Sequence, residues 1–231
     1  MVIIQIVKGL WRDRRIWITS DIQKGRNGMG HSQDSKLETH EKIVGAAAKR
    51  LREAGLTGIG VADLMKEVGL TVGGFYKHFE SRGALVAEAV TAMRGGWDAV
   101  FARARERGSS KPALFDDLVD GYLAAEHRDN PAEGCLFAAL SADLGRSDEE
   151  ARRAATRRLE SVLVELSQVF DEQRAPAARA AAILTYSALV GAVSLARATN
   201  DEALSDEILG TVSKGLKKLL RPARAEKAKR R

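Results

Sequence analysis

The sequence predicts an all-α protein, with a small N-terminal unit of three helices and a larger C-terminal helical domain. Ala, Leu, Arg and Glu, which favour helices, occur throughout the 231 residues, whereas there are only four prolines. Apolar residues recur at spacings of three and four over most of the chain, as expected for helices with one buried face. Short breaks that contain glycine or proline separate these segments.

Three short helices are predicted within residues 36–82. The first carries an apolar repeat that ends at Gly55, and the second ends at Gly69. Thr71 is predicted to be the N-cap of the third helix. The side chains expected on the buried side of that helix are Val72, Phe75 and Phe79. Three helices joined by such short turns are typical of a helix-turn-helix domain.

The third helix lies in residues 69–81, GLTVGGFYKHFES, where two adjacent glycines precede a cluster of large side chains. In a helix-turn-helix, the second helix of the pair enters the major groove of DNA, and its first residues face the base edges. Gly73 and Gly74 would allow the backbone to approach DNA closely, since they carry no side chain. The outward-facing donors predicted to bind phosphate oxygens are Tyr76, Lys77 and His78, with Arg82 at the start of the next helix.

Residues 38–90 resemble the DNA-binding domain of the TetR family of transcriptional regulators, most clearly in GVADLMKEVGLTVGGFYKHFESRGAL. The family pattern GL(T/S)xGxxYxHFxxKxxL is matched at Leu70, Thr71, Gly73, Tyr76, His78, Phe79 and Leu85. The resemblance implies that Gly73 and Gly74 face the bases. It also implies that the residues contacting DNA include Thr71, Tyr76, Lys77 and His78.

The complete set of predicted DNA-binding residues is Thr71, Val72, Gly73, Gly74, Tyr76, Lys77, His78 and Arg82. Two positions depart from the family pattern. Ile59-Gly60 stands where Thr-Ser is usual before the second helix, so a hydroxyl contact to phosphate is lost, although glycine caps a helix nearly as well. Arg82 replaces the usual lysine and keeps its charge.

Residues 83–221 are predicted to form an effector-binding and dimerisation domain, as the resemblance implies. A long helix from Arg82 to Arg107 is expected at its start. The segment from Ala175 to Ala198 has scarcely any polar face and must be covered on both sides, so one side is expected to meet another subunit. We expect a homodimer through the last two helices, 175–199 and 201–220. By the resemblance, this dimer reads a palindromic site in double-stranded DNA and releases it when a small-molecule effector binds.

An apolar effector pocket is predicted from Met93, Trp97, Phe101, Phe115, Tyr122, Cys135, Phe137 and Leu140. The alternative is that these residues are plain hydrophobic core. Cys135 is predicted to begin a helix, a position that lowers the pKa of a thiol and raises its thiolate fraction. The segment around it is similar to TetR-family members that respond to electrophiles or oxidants. The alternative for Cys135 is a small buried apolar residue.

Charge is unevenly distributed along the chain. Residues 1–30 carry a net charge of +4 and residues 214–231 a net charge of +8, whereas residues 83–213 have 14 basic and 21 acidic side chains. A polyanionic partner is therefore expected to meet the N-terminal third and not the acidic middle. The alternative function is a sequence-independent DNA-binding or helical interaction protein that uses its basic tails.

The two ends of the chain are predicted to lie outside the folded domains. Residues 1–35 are expected to be a disordered or misassigned N-terminal extension, with a basic arm that touches DNA as the competing interpretation. Residues 222–231 are expected to be a basic tail.

Several classes of protein are excluded or disfavoured by the sequence. A single cysteine excludes an internal disulfide framework and fits a reducing cytoplasm. No uninterrupted apolar run reaches the ~18 residues of a membrane span. The four histidines are scattered, and no metal-binding, phosphate-binding or catalytic motif is present. No enzyme activity, cofactor or membrane association is therefore predicted.

Overall fold

The structure is a computed structural model that describes residues 30–93, 106–107, 109–170, 175–220 and 222. In this part of the chain all regular structure is helical, which confirms the predicted all-α class. The chain separates into two compact units. Of the described residues, the first unit comprises 30–93 with Ala139–Ala155, and the second comprises those of 106–138 and 156–222. The predicted functional boundary between residues 82 and 83 stays a prediction, because these units describe packing and not function.

The helices up to residue 93 are α1 (Gly30–Ala54), α2 (Val61–Glu67), α3 (Val72–Phe75) and α4 (Arg82–Ala92), with a short 3-10 turn at Leu56–Gly58. Those that follow are α5 (Lys111–Tyr122), α6 (Ala125–Asp129), α7 (Leu136–Gly145), α8 (Glu149–Ser167), α9 (Ala175–Ala198) and α10 (Glu202–Leu220), with a 3-10 turn at Pro131–Glu133. Both α7 and α8 contribute residues to the two units.

The first unit is built on the packing of α1 against α4, and α2 packs against both α1 and α3. Two polar contacts join α1 to the end of α2. Lys42 donates to the carbonyl of Val68 at 3.0 Å, and Arg50 pairs with Glu67 at 2.5 Å. A cation beside the carboxyl end of a helix is favourable because of the helix dipole. The fully buried side chains of this unit include Ile43, Leu51, Leu64, Met65 and Leu85.

Glycine and serine set two helix ends, as predicted. Gly69 has a φ of 77°, a left-handed conformation that glycine adopts without steric cost, and it ends α2. The Ser81 hydroxyl accepts a hydrogen bond from the Ala84 N–H at 3.0 Å and caps α4. Because Gly69 ends α2 and Ser81 caps the start of α4, α3 lies between two helices with well-defined ends.

Helix α1 begins earlier than predicted. Residues 30–35, which were expected to belong to a disordered extension, form its first turns. The described side chains of this stretch are exposed, so they carry no apolar repeat by which the sequence would reveal a helix. Residues 1–29 and 223–231 lie outside the described residues, and the predictions made for the N-terminal extension and the basic tail stay predictions.

The predicted continuous helix from Arg82 to Arg107 is wrong at Met93. Helix α4 ends at Ala92, and Met93 has left the helical conformation, with φ −69° and ψ 78°. Gly95 and Gly96 follow after Arg94 in the sequence, and glycine lowers helix stability by roughly 1 kcal/mol relative to alanine. Residues 94–105 lie outside the described residues.

The second unit has a core in which α9 packs on α10 and α10 packs on α5. Ion pairs reinforce the packing of neighbouring helices. Lys217 of α10 pairs with Asp120 of α5, and Arg179 of α9 donates to both carboxylate oxygens of Glu160 in α8, at 2.9 and 2.8 Å. The core includes Phe115, Leu166, Ala182, Leu189 and Val193.

Helix α9 is apolar on both sides, as the sequence predicts. By length and composition it would suffice to span a bilayer, and it is the one such helix in the described part of the chain. One side is buried in the core, where Ala182, Leu189 and Val193 have no exposed surface. The other side carries exposed apolar residues, which include Leu184 and Leu195 at 59% and 62% exposure.

Candidate nucleic-acid interface

Helix α3 has a buried side and an exposed side. Phe75 and Phe79 are buried, and their ring centroids lie 5.4 Å apart. A side chain added at Gly74 would meet the Met65 methyl group at 3.7 Å, so Gly74 faces α2. A side chain added at Gly73 would meet nothing within 4 Å, so Gly73 faces open space. The exposed side of the helix and of the turn after it consists of Val72, Gly73, Tyr76 and Lys77.

Val72 does not lie on the buried side, contrary to the prediction. Its side chain is 46% exposed. At 3.6 residues per turn, Val72 lies about 60° around the helix from Phe75 but only about 40° from Tyr76. Tyr76 is 69% exposed, and Val72 shares its side of the helix. The two phenylalanines therefore hold α3 in place without Val72.

Thr71 occupies the predicted N-cap position of α3, but its hydroxyl makes no capping hydrogen bond. Its backbone is extended, and the Gly74 N–H bonds to the Thr71 carbonyl at 2.9 Å. Thr71 is exposed. Since the fold does not use the hydroxyl as a cap, it is available to an external acceptor.

His78 lies between the exposed side and α1, where it is half-buried and does not project freely. Its ring centroid lies 5.8 Å from that of His40, which stacks on Phe79 at 4.6 Å. His40 in turn bonds to Glu88 of α4 at 2.6 Å. No local pattern indicates this role of His40 or Glu88, because residues so far apart meet only when α1 and α4 pack.

The environment of His78 favours its neutral form. Burial lowers its pKa from 6.5, and nearby positive charge at His40, Lys36 and Lys77 lowers the pKa further. Within the described residues, the buried Nδ1 atom has no hydrogen-bond partner. A neutral imidazole binds a phosphate oxygen through one N–H, so His78 is suited to a directional hydrogen bond.

Arg82 binds the turn between α1 and α2. Its Nη2 donates to the Leu56 carbonyl and its Nε donates to the Ile59 carbonyl at 3.2 Å. These bonds tie the start of α4 to the backbone just before α2. The predicted phosphate contact of Arg82 stays a prediction, and the structure gives this side chain a role in holding the helix-turn-helix together.

Asp143 of α7 holds the same turn from another direction. Its Oδ2 accepts a hydrogen bond from the Leu56 N–H at 3.0 Å. A side chain at Gly55, whose φ is 75°, would lie 2.6 Å from that oxygen. The two residues that form this hydrogen bond are 87 positions apart, and the sequence pattern did not reveal the contact.

Three of the predicted pocket residues gather around Tyr186 in the second unit. The Cys135 sulfur lies 3.3 Å from the Tyr186 hydroxyl, and the Phe137 and Tyr122 rings lie 6.1 and 6.4 Å from the Tyr186 ring. Cys135 is buried and directly precedes α7. Its predicted reactivity towards electrophiles stays a prediction.

His127 is buried beside this cluster. Its Nε2 accepts a hydrogen bond from the Cys135 N–H at 3.0 Å, so Nδ1 carries the proton and donates to the Tyr122 carbonyl at 2.6 Å. Burial lowers the pKa of His127 from 6.5 to about 4, and the charge of Arg197 also lowers it. In the sequence His127 is only one of four scattered histidines, whereas in the structure it binds the Cys135 backbone directly before α7.

The remaining pocket residues are dispersed. Phe115 packs on Phe170 at 5.6 Å in the core of the second unit, whereas Met93 and Leu140 belong to the first unit. Trp97 and Phe101 lie outside the described residues. A groove of about 270 Å³ in the second unit is lined by other residues: Val164, Ser167, Gln168, Ala175, Ala178 and Arg179. The predicted effector pocket stays a prediction.

Comparison with known proteins identifies the family. The family model for bacterial regulatory proteins of the tetR family matches residues 43–89, from within α1 to within α4. An uncharacterised HTH-type transcriptional regulator of Mycobacterium tuberculosis is 31% identical over 175 residues, which cover 70% of this chain and 85% of that protein. The chain belongs to the TetR family of transcriptional regulators.

Other proteins are similar to this chain at lower identity. The chain is 26% identical to the transcriptional regulator AcuR of Cereibacter sphaeroides, over 66% of its own length and 70% of AcuR. The crystal structure of a TetR-family regulator from Agrobacterium tumefaciens superposes with a TM-score of 0.66 at 20% identity, covering 80% of this chain and 98% of that chain. The crystal structure of the reduced form of Escherichia coli NemR superposes with a TM-score of 0.60 at 21% identity, covering 80% of this chain and 99% of that chain. These two structures share the fold of this chain, and the helix-turn-helix predicted from the sequence corresponds to α2 and α3.

Proposed function

We propose that this TetR-family protein is a homodimeric repressor that binds a palindromic operator through α3 and releases it when a small-molecule effector binds the second unit. The observation that carries the proposal is the exposed side of α3 and of the turn after it, which consists of Val72, Gly73, Tyr76 and Lys77. NemR of E. coli, 26% identical to this chain over 72% of its own length, is named a transcriptional repressor.

The phosphate contacts are proposed to come from Thr71, Tyr76, Lys77 and His78. All four can donate hydrogen bonds, and three of them are exposed. Such contacts fix the position of the helix on the duplex and carry no sequence information. Gly73, which faces open space, leaves room for the base edges beside them. The partly inward position of Gly74 gives it a role in packing α3 close to α2.

The dimer is proposed to form through α9 and α10. An uncharged exposed or half-exposed stripe follows α9 at helical spacing and consists of Ala180, Leu184, Ser187, Gly191, Leu195 and Ala198. Exposed apolar residues on α10 include Leu204 and Leu219. Small residues allow two helices to approach closely, and a two-fold interface uses the same surface twice. This arrangement covers the second apolar side of α9 with protein, and it fits a cytoplasmic protein.

The effector is proposed to bind the second unit near Tyr122, Cys135 and Phe137, which surround the Tyr186 ring. An effector that binds better to the form with wrongly spaced recognition helices shifts the population away from the DNA-binding form. The strength of release is then set by the difference in affinity of the effector for the two forms.

Selection of bound duplexes from random DNA tests the proposal. We expect enrichment of one palindrome whose half-site centres lie about 34 Å apart, bound roughly 10³-fold or more above random duplex. Screening compounds for release of that palindrome then identifies the effector. If the full chain selects no preferred sequence, the proposal that it binds a specific operator is wrong. If it selects a sequence without two-fold symmetry, the proposal that it binds as a dimer is wrong.

A further inference from the structure

Val72 is an exposed apolar residue that the packing of the first unit does not explain. The large apolar side chains exposed in the described part of this unit are Leu37, Val72 and Tyr76. Tyr76 carries a hydroxyl that can donate to a phosphate oxygen. Leu37 lies on α1, away from the start of α3 in the sequence. Val72 has no polar atom in its side chain, so this side chain cannot donate a hydrogen bond to a phosphate oxygen.

The surface beside Val72 is open. Val72 is the first residue of α3 and is 46% exposed, and its neighbour Gly73 would meet nothing within 4 Å if it carried a side chain. Phe75 is buried behind it and fixes the helix. The valine methyl groups therefore stand next to Gly73, which has no side chain and leaves room for a base edge to approach.

The major groove offers one apolar group among its base edges. Adenine, guanine and cytosine present hydrogen-bond donors or acceptors there, whereas thymine also presents its C5 methyl group. A valine buries that methyl group favourably. The same valine against a polar edge would remove donors or acceptors from water without replacing their hydrogen bonds. An apolar residue at the start of a recognition helix thus discriminates between bases.

From these observations we infer that Val72 is a specificity-determining residue that reads the C5 methyl group of a thymine in each half-site of the operator. The inference rests on the proposed function, because it requires α3 to lie in the major groove. It adds a base preference to that function, whereas the predicted contacts of Tyr76, Lys77 and His78 go to phosphate and are independent of sequence.

Replacement of single thymines by deoxyuridine tests the inference, since deoxyuridine lacks only the C5 methyl group. In the operator selected with the wild-type protein, we expect one symmetric pair of thymines to be sensitive. Loss of one buried methyl group per half-site should weaken binding roughly four-fold for one half-site and about 15-fold for both. A symmetric operator in which no thymine is sensitive would overturn the inference.

The Val72→Ala variant assigns the effect to this side chain. We expect it to bind the thymine and deoxyuridine operators equally, because the methyl groups that contact the thymine are gone. Val164→Ala is the matched control, since it removes the same atoms from a valine of similar exposure, 48%, on α8. It should keep the full preference for thymine. A preference for thymine that persists unchanged in Val72→Ala would overturn the inference.

The two proposals fail in different experiments. If selection enriches no sequence, the operator and the reading of thymine fail together, before any deoxyuridine is introduced. If a palindrome is enriched and bound tightly but the Val72→Ala variant selects the same bases at every position, the regulator stands and the inference about Val72 is wrong.

Discussion

The direction of each side chain on α3 decides which residues of this protein can meet DNA. Phe75 and Phe79 face inward, and Gly74 faces Met65. Val72, Tyr76 and Lys77 are left on the opposite side. The helix is only four residues long, so its own hydrogen bonds contribute little to its stability. The burial of the two aromatic rings therefore fixes the exposed side.

His127 should make the stability of the protein depend on pH. The folded state needs its neutral form, because Nε2 accepts a hydrogen bond from Cys135. Its pKa is about 4 in the folded state against 6.5 in the unfolded state, so the unfolded state binds more protons between these values. This contribution to stability is present above pH 6.5 and is lost as the pH falls, by about 2 kcal/mol at pH 5.

The His127→Gln variant checks this prediction by urea unfolding at fixed protein concentration. We expect the variant to have a smaller free energy of unfolding at pH 8. Between pH 6.5 and pH 5 this free energy should fall less steeply with pH than in the wild type, by the slope that corresponds to about one bound proton. Above pH 7 the two curves should run parallel, since His127 is then neutral in both states. A variant that declines as steeply as the wild type would refute the assignment.

At the scale of helices and turns, the segment between α1 and α2 is held by contacts that come from both α4 and α7. Arg82 donates to the Leu56 and Ile59 carbonyls, and Asp143 accepts from the Leu56 N–H. Since α2 and α3 follow this turn directly, its conformation sets where the helix-turn-helix begins. Glycine is required at position 55 for two reasons. Its φ of 75° is unfavourable for residues with a side chain, and a side chain there would clash with the Asp143 carboxylate.

Gly55→Ala and Gly45→Ala form a matched pair. Gly55→Ala should lower the free energy of unfolding by about 2–3 kcal/mol, through the left-handed backbone and the loss of the bond to Asp143. Gly45 is exposed inside α1 with nothing within 4 Å, so alanine there should raise stability by roughly 0.5–1 kcal/mol. Both are measured by chemical unfolding. Equal effects of the two substitutions would contradict the role of this turn.

Local signals predicted most of the helix ends, whereas the contacts that the sequence did not reveal join residues far apart in the chain. Gly69 and Ser81 act within their own turns, and the sequence reveals them. The hydrogen bond from Leu56 to Asp143 spans 87 positions, and the meeting of His40 with His78 requires α1 to fold against α3 and α4. Helical periodicity also predicts Val72 on the buried side with Phe75. Val72 lies closer around the helix to the exposed Tyr76 than to Phe75, and its side chain is exposed.

At the scale of the whole molecule, the exposed side of α9 is proposed to join two copies. Leu184→Glu should therefore produce monomers, because a carboxylate buried in an apolar interface is strongly unfavourable. Its far-ultraviolet circular dichroism should match the wild type, since Leu184 is 59% exposed in the single chain. We expect operator affinity to fall roughly 10²-fold or more, because the two half-sites are no longer bound together.

Ala125→Glu is the control for that substitution. It adds the same charge at an exposed position, at the start of α6, where a carboxylate is favourable. It should stay dimeric by sedimentation or light scattering and bind the operator normally. A Leu184→Glu protein that remains dimeric at micromolar concentration would place the interface elsewhere.

Helix α3, and not the basic tail, is proposed to carry the DNA-binding function. Competition binding between the selected palindrome and random duplex tests it directly. We expect the full chain to prefer the palindrome roughly 10³-fold. The Tyr76→Ala/His78→Ala double variant should bind both duplexes weakly, and removal of residues 222–231 should leave the preference intact. Loss of all DNA affinity on removing 222–231, with wild-type binding by the double variant, would contradict the account.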